Sequence, residues 1–235
     1  MKHMLYVLGL LLLNLNIGFA QDSYTIKMTL KIEGLPPEYA GFGEQEMVNY
    51  LKGELYKNET SSMMGSSSTC FDGKLITSIT DQMGNKTGYT ATKEEVDASN
   101  TKEGQEKPKI EYTNETKKIA GYDCTKAIMT SVSADGKENK VIVWVTEKIK
   151  ANAAKGRRTG GRGMQMDFGE LKGYPLMIET SQNQNGNEMK IIITATEVST
   201  AALEDGFFTI NTEGYTMMSY QQMMENMKKM RKGGE

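Results

Sequence analysis

Histidine is nearly absent from this sequence. The one histidine, His3, lies in the N-terminal segment ahead of an apolar run. Imidazole is the general base of Ser/His/Asp and Cys/His catalytic systems and a common ligand of zinc and iron, and two cysteines cannot build a four-thiolate site. The nucleophile motif G-x-S-x-G and the glycine-rich phosphate-binding motifs are also missing. We therefore expect a protein that is not an enzyme and holds no cofactor and no metal centre.

Long hydrophobic runs are absent outside the N-terminus. The apolar run at 4–13 follows a positively charged start, and the small residues Gly18 and Ala20 precede Gln21. This arrangement predicts a secretory signal peptide over residues 1–20, too short and wrongly flanked for a transmembrane helix; the alternative is a retained N-terminal anchor. Cleavage between Ala20 and Gln21 would give a periplasmic or secreted protein whose association with a membrane is at most peripheral.

The chain has no excess of charge of one sign. It contains 28 basic and 30 acidic residues, and loss of Lys2 with the signal peptide changes the net charge from −2 to −3. Nucleic-acid partners require a basic face, so we exclude them. Hydrophobic residues make up only 38% of the chain, which predicts one domain with a thin core, a curved sheet covered by a few helices.

The pattern that is present is typical of β-structure. In SYTIKMTLKI (residues 23–32) apolar and polar residues alternate strictly, as in a strand with one apolar face. Glycines recur at hairpin spacing through the rest of the chain. Further strands are predicted at Glu46–Lys52, Leu55–Ser62, Ser67–Phe71, Leu75–Gln82, Lys86–Thr92, Ile110–Ile119, Tyr122–Val132, Lys140–Thr146, Tyr174–Gln182 and Glu188–Val198. Residues 93–109, which are polar and charged, are interpreted as a surface connection with room for a helical turn.

The apolar face of the first strand raises the question of what it packs against. If the sheet curls into a half-barrel, apolar residues at alternate positions of several strands should face one hollow. The residues predicted to line it are Ile26, Met28, Leu30, Leu176, Ile178, Ile191 and Ile193. The hollow could hold a lipid, an acyl chain or a lipoprotein, or the protein's own helix could fill it.

The C-terminal segment 216–235 is predicted to be an amphipathic helix rich in Met and Lys. Its apolar stripe consists of Tyr220, Met223, Met224, Met227 and Met230. Such a helix can lie on a membrane, but packing onto the sheet is the more frequent arrangement. We expect it to act as a movable lid that fills the hollow when no ligand is bound.

Methionine is abundant, with 18 residues in the whole chain. Flexible thioethers suit apolar surfaces that adapt to varied ligands, and they also bind Cu(I) without histidine. A Met-rich Cu(I)-binding envelope protein is therefore one alternative function. An envelope structural or stress-sensing protein that acts through an unknown protein partner is another.

The two cysteines, Cys70 and Cys124, are predicted to lie on different strands. In an oxidising compartment they could form a disulfide, which would stabilise the fold by roughly 4 kcal/mol in the chain-entropy model. The alternative is two separate buried thiols that act as small apolar side chains.

Several phrases of the sequence resemble a family of exported bacterial proteins known only as a domain of unknown function. They are KMTLKIEGLPPE, SSMMGSSSTCFDGK, KPKIEYTNETKKIAGYDCTKAIM, VWVTEKI, LKGYPLMIE and TATEVS followed by FFTINTEGY. The order DGK, IAGYDC, VWV, GYPL and EGY is distantly similar to LolA-type lipoprotein carriers. That resemblance implies an unclosed, strongly curved antiparallel half-barrel whose apolar concave face, covered by a few helices, shelters acyl chains.

Three features depart from the LolA-type pattern: the high methionine content, a Gly/Arg-rich loop at 151–170 and the Met/Lys-rich C-terminal helix. The arginine with which those carriers hold their ligand matches no position here. The resemblance therefore implies a fold, assigns residues 21–215 to one β domain, and transfers no functional residue.

Overall fold

The structure, a computed structural model, describes residues 23–36, 39, 43–100, 108–132, 136–150, 158–159, 166–167, 171–184 and 187–232. The predicted signal peptide and most of the Gly/Arg-rich loop lie outside these residues. The strands are β1 (Ser23–Glu33), β2 (Glu44–Lys52), β3 (Leu55–Ser62), β4 (Gly65–Phe71), β5 (Leu75–Gln82), β6 (Asn85–Thr92), β7 (Lys109–Ile119), β8 (Tyr122–Val132), β9 (Glu138–Thr146), β10 (Arg158–Thr159), β11 (Met166–Asp167), β12 (Tyr174–Gln184), β13 (Asn187–Ser199) and β14 (Thr216–Ser219). The helices are α1 (Lys93–Asn100) and α2 (Tyr220–Lys232), with a short 3-10 helix at Asp205–Phe207.

Twelve strands form one sheet in the order β14-β6-β5-β4-β3-β2-β1-β13-β12-β9-β8-β7, and β10 pairs with β11 separately. All neighbours in the large sheet are antiparallel except β14, which runs parallel to β6. The edge strands β14 and β7 do not pair, so the sheet is unclosed. The sheet is nevertheless strongly curved: β7 approaches β13 although three strands separate them in the sheet. The predicted antiparallel half-barrel is confirmed.

Local sequence signals explain why the strands were predictable. Strands β3, β5 and β8 begin and end at the predicted residues. Two-residue turns with both φ angles positive close two of the hairpins: Met83 (52°) with Gly84 (86°), and Ala120 (46°) with Gly121 (88°). Turns of this kind match the twist of the strands that they join.

Both helices begin at reciprocal side-chain caps. At α1, the Glu95 backbone N–H donates to Thr92 Oγ1 (3.2 Å) and Glu95 Oε2 accepts from the Thr92 N–H (2.8 Å). At α2, the Gln222 N–H donates to Ser219 Oγ (3.2 Å) and Gln222 Oε1 accepts from the Ser219 N–H (2.9 Å). These capping boxes satisfy orphan donors of the first turn. The prediction of one helix over 216–235 is therefore corrected: Thr216–Ser219 form strand β14, and α2 starts at Tyr220.

The core has one large and one small part. The large cluster joins β1, β2, β7, β8, β9, β12 and β13, with Ile26, Val143 and Leu176 at its fully buried centre. The small cluster contains Phe71, Ile76 and Ala91, against which Val96 of α1 and Tyr220 of α2 pack. Both helices thus contact the sheet near β6, at the end remote from the large cluster. No helix in the described ranges is long and apolar enough to cross a membrane.

Candidate functional site

The two faces of the large sheet can be followed from strand to strand through the register. Side chains alternate between faces along a strand, and directly paired residues share a face. We call the face that carries Met28 the Met28 face, and the opposite one the Lys27 face. In β1 the Met28 face also carries Tyr24, Ile26 and Leu30.

Charge is strictly divided between the two faces over β1–β6, all of which are described. The register pairs Lys27 with Val48 and Val48 with Glu59, and the same face can be followed through β4 and β5 to β6. Every charged residue of these strands lies on the Lys27 face: Lys27, Lys31, Glu33, Glu44, Glu46, Lys52, Lys57, Glu59, Asp81 and Lys86. The same division holds on β9, β12 and β13. On the described strand β7, Lys118 pairs with Asp123 of β8 beside the β7–β8 turn, and there charged side chains lie on the Met28 face.

Six of the seven residues predicted to line the hollow share the Met28 face. Leu30, Ile193 and Ile178 are direct partners in one row across β1, β13 and β12. Ile26, Met28 and Ile191 lie in neighbouring rows of this face, whereas Leu176 occupies an irregularity in β12 between Pro175 and Met177. All except Ile191 belong to or pack against the large cluster. Their common placement is a structural result; their role in binding stays a prediction.

Exposure along the Met28 face is uneven. Ile26 and Leu176 are 0% exposed, so the protein itself fills the space around them. Toward the other end of β1 the side chains become half-buried, and these form what we call the apolar patch: Leu30, Ile32, Met47, Val141 and Ile191. The apolar patch therefore keeps apolar surface that a ligand could contact without unfolding of the protein.

Strands β3–β6 continue the Met28 face with neutral polar side chains. One row, the amide row, pairs Asn49, Asn58, Thr69, Ser78 and Tyr89. Its members bond to one another: Asn58 Nδ2 donates to Asn49 Oδ1, Asn49 Nδ2 donates to Met28 Sδ (3.1 Å), and the Thr69 and Ser78 hydroxyls lie 2.9 Å apart. Burial raises the pKa of Tyr89, so its phenol stays neutral. The amide row is internally satisfied and is structural.

A second polar row differs because its side chains do not hydrogen-bond to one another. Met28 pairs with Met47, and the row continues through Thr60, Ser67, Thr80 and Thr87; we call these four the hydroxyl row. All four are half-buried, and within the described part of the chain their hydroxyls make no hydrogen bond. Sequence reasoning missed this row, because no single strand shows it.

The Lys27 face of β2 and β3 is covered by the chain itself. Lys52 Nζ lies 2.6 Å from Leu203 O and 2.7 Å from Asp205 Oδ1, and the rings of Tyr50 and Phe207 meet edge to face at 4.7 Å. Lys57 lies 4.8 Å from the centre of the Phe207 ring. The segment around 203–208 therefore shields the charged face, and it leaves the apolar patch and hydroxyl row on the other face half-exposed.

Farther along, the Lys27 face carries ion pairs around the lone tryptophan. Lys190 Nζ lies 2.8 Å from Glu179 Oε2, and this hydrogen bond holds the pKa of Glu179 below its usual value. Lys117 and Lys126 lie over the Trp144 ring at 5.6 and 6.0 Å. Among the described residues, no group of three or more His, Cys, Asp or Glu side chains is arranged to hold a metal ion.

The predicted lid, helix α2, packs against β6 and β14. The ring of Tyr220 contacts that of Tyr89 in a tilted arrangement with ring centres 5.8 Å apart, and the Tyr220 hydroxyl shares a hydrogen bond with the Ser99 hydroxyl. Met224 and Met227 are each 40% exposed, and no described α2 side chain joins the large cluster. The helix thus lies at the β6 end, because the parallel strand β14 attaches its start there. Met223 is half-buried, and the side chain of Met230 lies outside what the structure describes. A lid function stays a prediction.

The disulfide that the sequence allowed is not formed. Cys70 and Cys124 are free and buried, on β4 and β8, with six strands between them in the sheet order. Burial raises the pKa of Cys70 to about 11 and also raises the pKa of Cys124. Buried neutral thiols of this kind act as small apolar side chains, which is the alternative that the sequence left open.

No protein-family model and no curated protein matches this chain. Among solved structures it is similar to PNGF-II, at 16% identity and a TM-score of 0.46 over 87% of this chain, which spans only 33% of the PNGF-II chain. It is similar to an uncharacterized conserved protein from Thermus thermophilus, at 8% identity and a TM-score of 0.46, over 85% of this chain and 91% of that one. A putative outer membrane lipoprotein-sorting protein domain from Vibrio parahaemolyticus has 11% identity and a TM-score of 0.29, over 80% of this chain and 89% of that one. The predicted resemblance thus has a counterpart among the structural neighbours.

Proposed function

We propose that this protein is an exported, non-enzymatic binding protein that shelters the apolar part of a lipid, acyl chain or lipoprotein on its Met28 face. The observation that carries the proposal is the half-exposed apolar patch, which continues the buried core on a face without charge over nine strands. A ligand chain lying there would extend an existing core, and each apolar side chain that it covers contributes through the area removed from water.

The division of the two faces supports a ligand rather than a closed core. The chain covers part of its charged Lys27 face with the segment around 203–208, whose contacts include Lys52 Nζ to Asp205 Oδ1 at 2.7 Å. At the apolar patch, Leu30 and Ile191 keep part of their surface accessible. Apolar surface next to a core and open at one end is what small-molecule sites offer.

Two neighbouring isoleucines provide a matched test. Ile191 and Ile192 are both half-buried, but they lie on the Met28 face and the Lys27 face respectively. We expect Ile191→Gln to weaken binding of the neutral probe N-phenyl-1-naphthylamine about five- to tenfold, because apolar contact area worth about 1 kcal/mol is lost. Ile192→Gln should bind the probe as the unchanged protein does. Equal binding by both variants, or no binding by the unchanged protein, contradicts the proposal.

Isolation of the protein from its own cells tests the same function without a chosen probe. Native mass spectrometry of the mature protein, followed by solvent extraction, should show a co-purifying lipid or lipoprotein. The Ile191→Gln protein should carry less of it than the Ile192→Gln protein.

A further inference from the structure

The hydroxyl row begins where the apolar patch ends. Met47 belongs to the apolar patch, and Thr60, its direct partner on β3, is the first member of the hydroxyl row. From β3 to β6 the row crosses three inter-strand spacings, or about 14 Å. A half-exposed apolar surface thus continues into a half-exposed surface of aligned hydroxyls, on one face and without a charged side chain between them.

We propose that the hydroxyl row binds the uncharged sugar headgroup of a glycolipid whose chain lies on the apolar patch. This assignment rests on the proposed function and adds the chemical class of the ligand. Each Thr or Ser hydroxyl both donates and accepts, as sugar hydroxyls do, so an aligned row can exchange hydrogen bonds with a polyol in either sense.

Charge argues against ionic headgroups. Over β1–β6 the Met28 face has no lysine or arginine to pair with a phosphate or carboxylate and no acid to pair with an amine. An ionic headgroup moved from water to this half-buried row would lose hydration without gaining an opposite charge. A neutral sugar loses only hydrogen bonds to water, and the row replaces them.

The free state of the hydroxyls is the second argument. Neighbouring polar positions on the same strands are used internally, as when Thr69 bonds to Ser78 at 2.9 Å. Thr80 and Thr87 face each other directly and make no side-chain hydrogen bond within the described residues. The hydroxyl row is therefore available to a ligand, whereas the amide row beside it on the same face is hydrogen-bonded internally.

The two faces of β5 and β6 supply a matched pair of double variants. Thr80 pairs with Thr87 on the Met28 face, and Thr77 pairs with Thr90 on the Lys27 face. Valine keeps the β-branched shape of threonine and removes only the hydroxyl. Thr80→Val/Thr87→Val is therefore the test, Thr77→Val/Thr90→Val is its control, and Ser67→Ala serves as a second test if the first variant does not fold.

The ligands are dodecyl maltoside, dodecanoate and dodecyltrimethylammonium, which share one chain length and differ in headgroup charge. Each is titrated below its micelle concentration against protein loaded with N-phenyl-1-naphthylamine. Dodecyl maltoside should displace the probe at about a tenfold lower concentration than either ion. Thr80→Val/Thr87→Val should weaken the binding of dodecyl maltoside at least about fivefold, which is the effect of one lost hydrogen bond. It should not change the binding of the two ions. The control variant should behave as the unchanged protein.

The outcomes separate this inference from the function on which it rests. If all three amphiphiles displace the probe equally and the Met28-face variant changes nothing, the glycolipid assignment is wrong and apolar binding stands. If the ions bind better than dodecyl maltoside, the assignment is likewise overturned. If the unchanged protein binds no probe, the proposed function fails and the assignment fails with it.

Discussion

Truncation after Tyr215 removes β14 and α2 and separates two roles for the C-terminal segment: part of the core, or a cover over part of the sheet. The large cluster has no member in residues 216–232, so we expect the remaining sheet to fold. The side chain that the small cluster loses is Tyr220, which is half-buried and whose ring contacts that of Tyr89 with ring centres 5.8 Å apart.

The magnitude follows from those contacts. An aromatic pair contributes about 0.5–1.5 kcal/mol beyond its buried area, and covering part of a tyrosine side chain adds about 1 kcal/mol. The backbone hydrogen bonds of a four-residue strand are largely offset by the entropy of ordering it. We therefore expect a loss of about 1.5–2.5 kcal/mol from a free energy of unfolding that is typically about 5–15 kcal/mol.

Urea denaturation followed by tryptophan emission measures this loss cleanly. Trp144 is the only tryptophan and is 9% exposed within the large cluster, so its signal reports the part of the sheet that the truncation leaves intact. With a urea dependence of about 2 kcal/mol per M, the midpoint should fall by about 0.8–1.3 M with one transition retained. Tyr220→Ala should reproduce most of this fall, and Tyr220→Phe, which keeps the ring, should reproduce little of it.

Probe binding by the truncated protein tests the lid. Since α2 packs at the β6 end, its removal uncovers Phe71 and Ile76 rather than the apolar patch. We expect more N-phenyl-1-naphthylamine to bind, and the increase should persist when Ile191→Gln is added. A truncated protein that is unfolded would refute the reasoning, since the helix would then be core and the cavity hypothesis would weaken. A folded one that binds no more probe would reject the lid.

The remaining predictions concern the thiols, the β14–β6 contact, the methionines and export. The free energy of unfolding should fall as the pH rises from about 9 toward 11, because the Cys70 thiol ionises first in the unfolded chain while its pKa in the fold is about 11. Thermal melts across that range should show a smaller fall in the stability of the Cys70→Ala variant. Gly88→Ala should cost about 1–3 kcal/mol, since its Cβ would lie 2.7 Å from the backbone oxygen of Ser78 and 2.6 Å from Met217 Sδ. Gly206→Ala, with nothing within 4 Å, should cost little more than zero in the same melts. Titration with Cu(I) should show no tight, stoichiometric uptake. Such uptake would support the alternative function of a Met-rich Cu(I)-binding protein. Intact mass of the exported protein should match a chain that starts at Gln21, and a soluble form that retains residues 1–20 would contradict the signal peptide.

Most of the sheet was predictable because most of its strands carry their own signal. Alternation identified β1, and glycine-containing turns bounded β3, β5 and β8. These signals depend on neighbours in sequence, which a single chain displays in full. Sharing of one face by Ile26, Met28 and Leu30 followed from the same alternation.

Features that depend on distant pairing were not predictable in the same way. The stretch Thr216–Ser219 reads as the start of the amphipathic helix, and only its pairing with the edge of β6 makes it a strand. The alternation that placed Cys70 and Cys124 on strands could not show that six other strands lie between them. Pairing across a sheet is a tertiary property, and local sequence sets it weakly.

The hydroxyl row shows how a site can be invisible in every strand and evident in the sheet. Thr60 and Thr80 each sit in a strand where hydroxyl residues are ordinary, because threonine favours β-structure. Aligned by register, the row is half-exposed and neutral, while Lys57, Glu59 and Asp81 of the same strands all lie on the other face. Stability alone does not require this division, since a half-exposed position in a strand tolerates a lysine at little cost. An acyl chain would strip water from any charge placed beside it, and a neutral sugar needs hydroxyls rather than charges, so a glycolipid accounts for this division. For that reason the proposed binding surface includes both the apolar patch and the hydroxyl row.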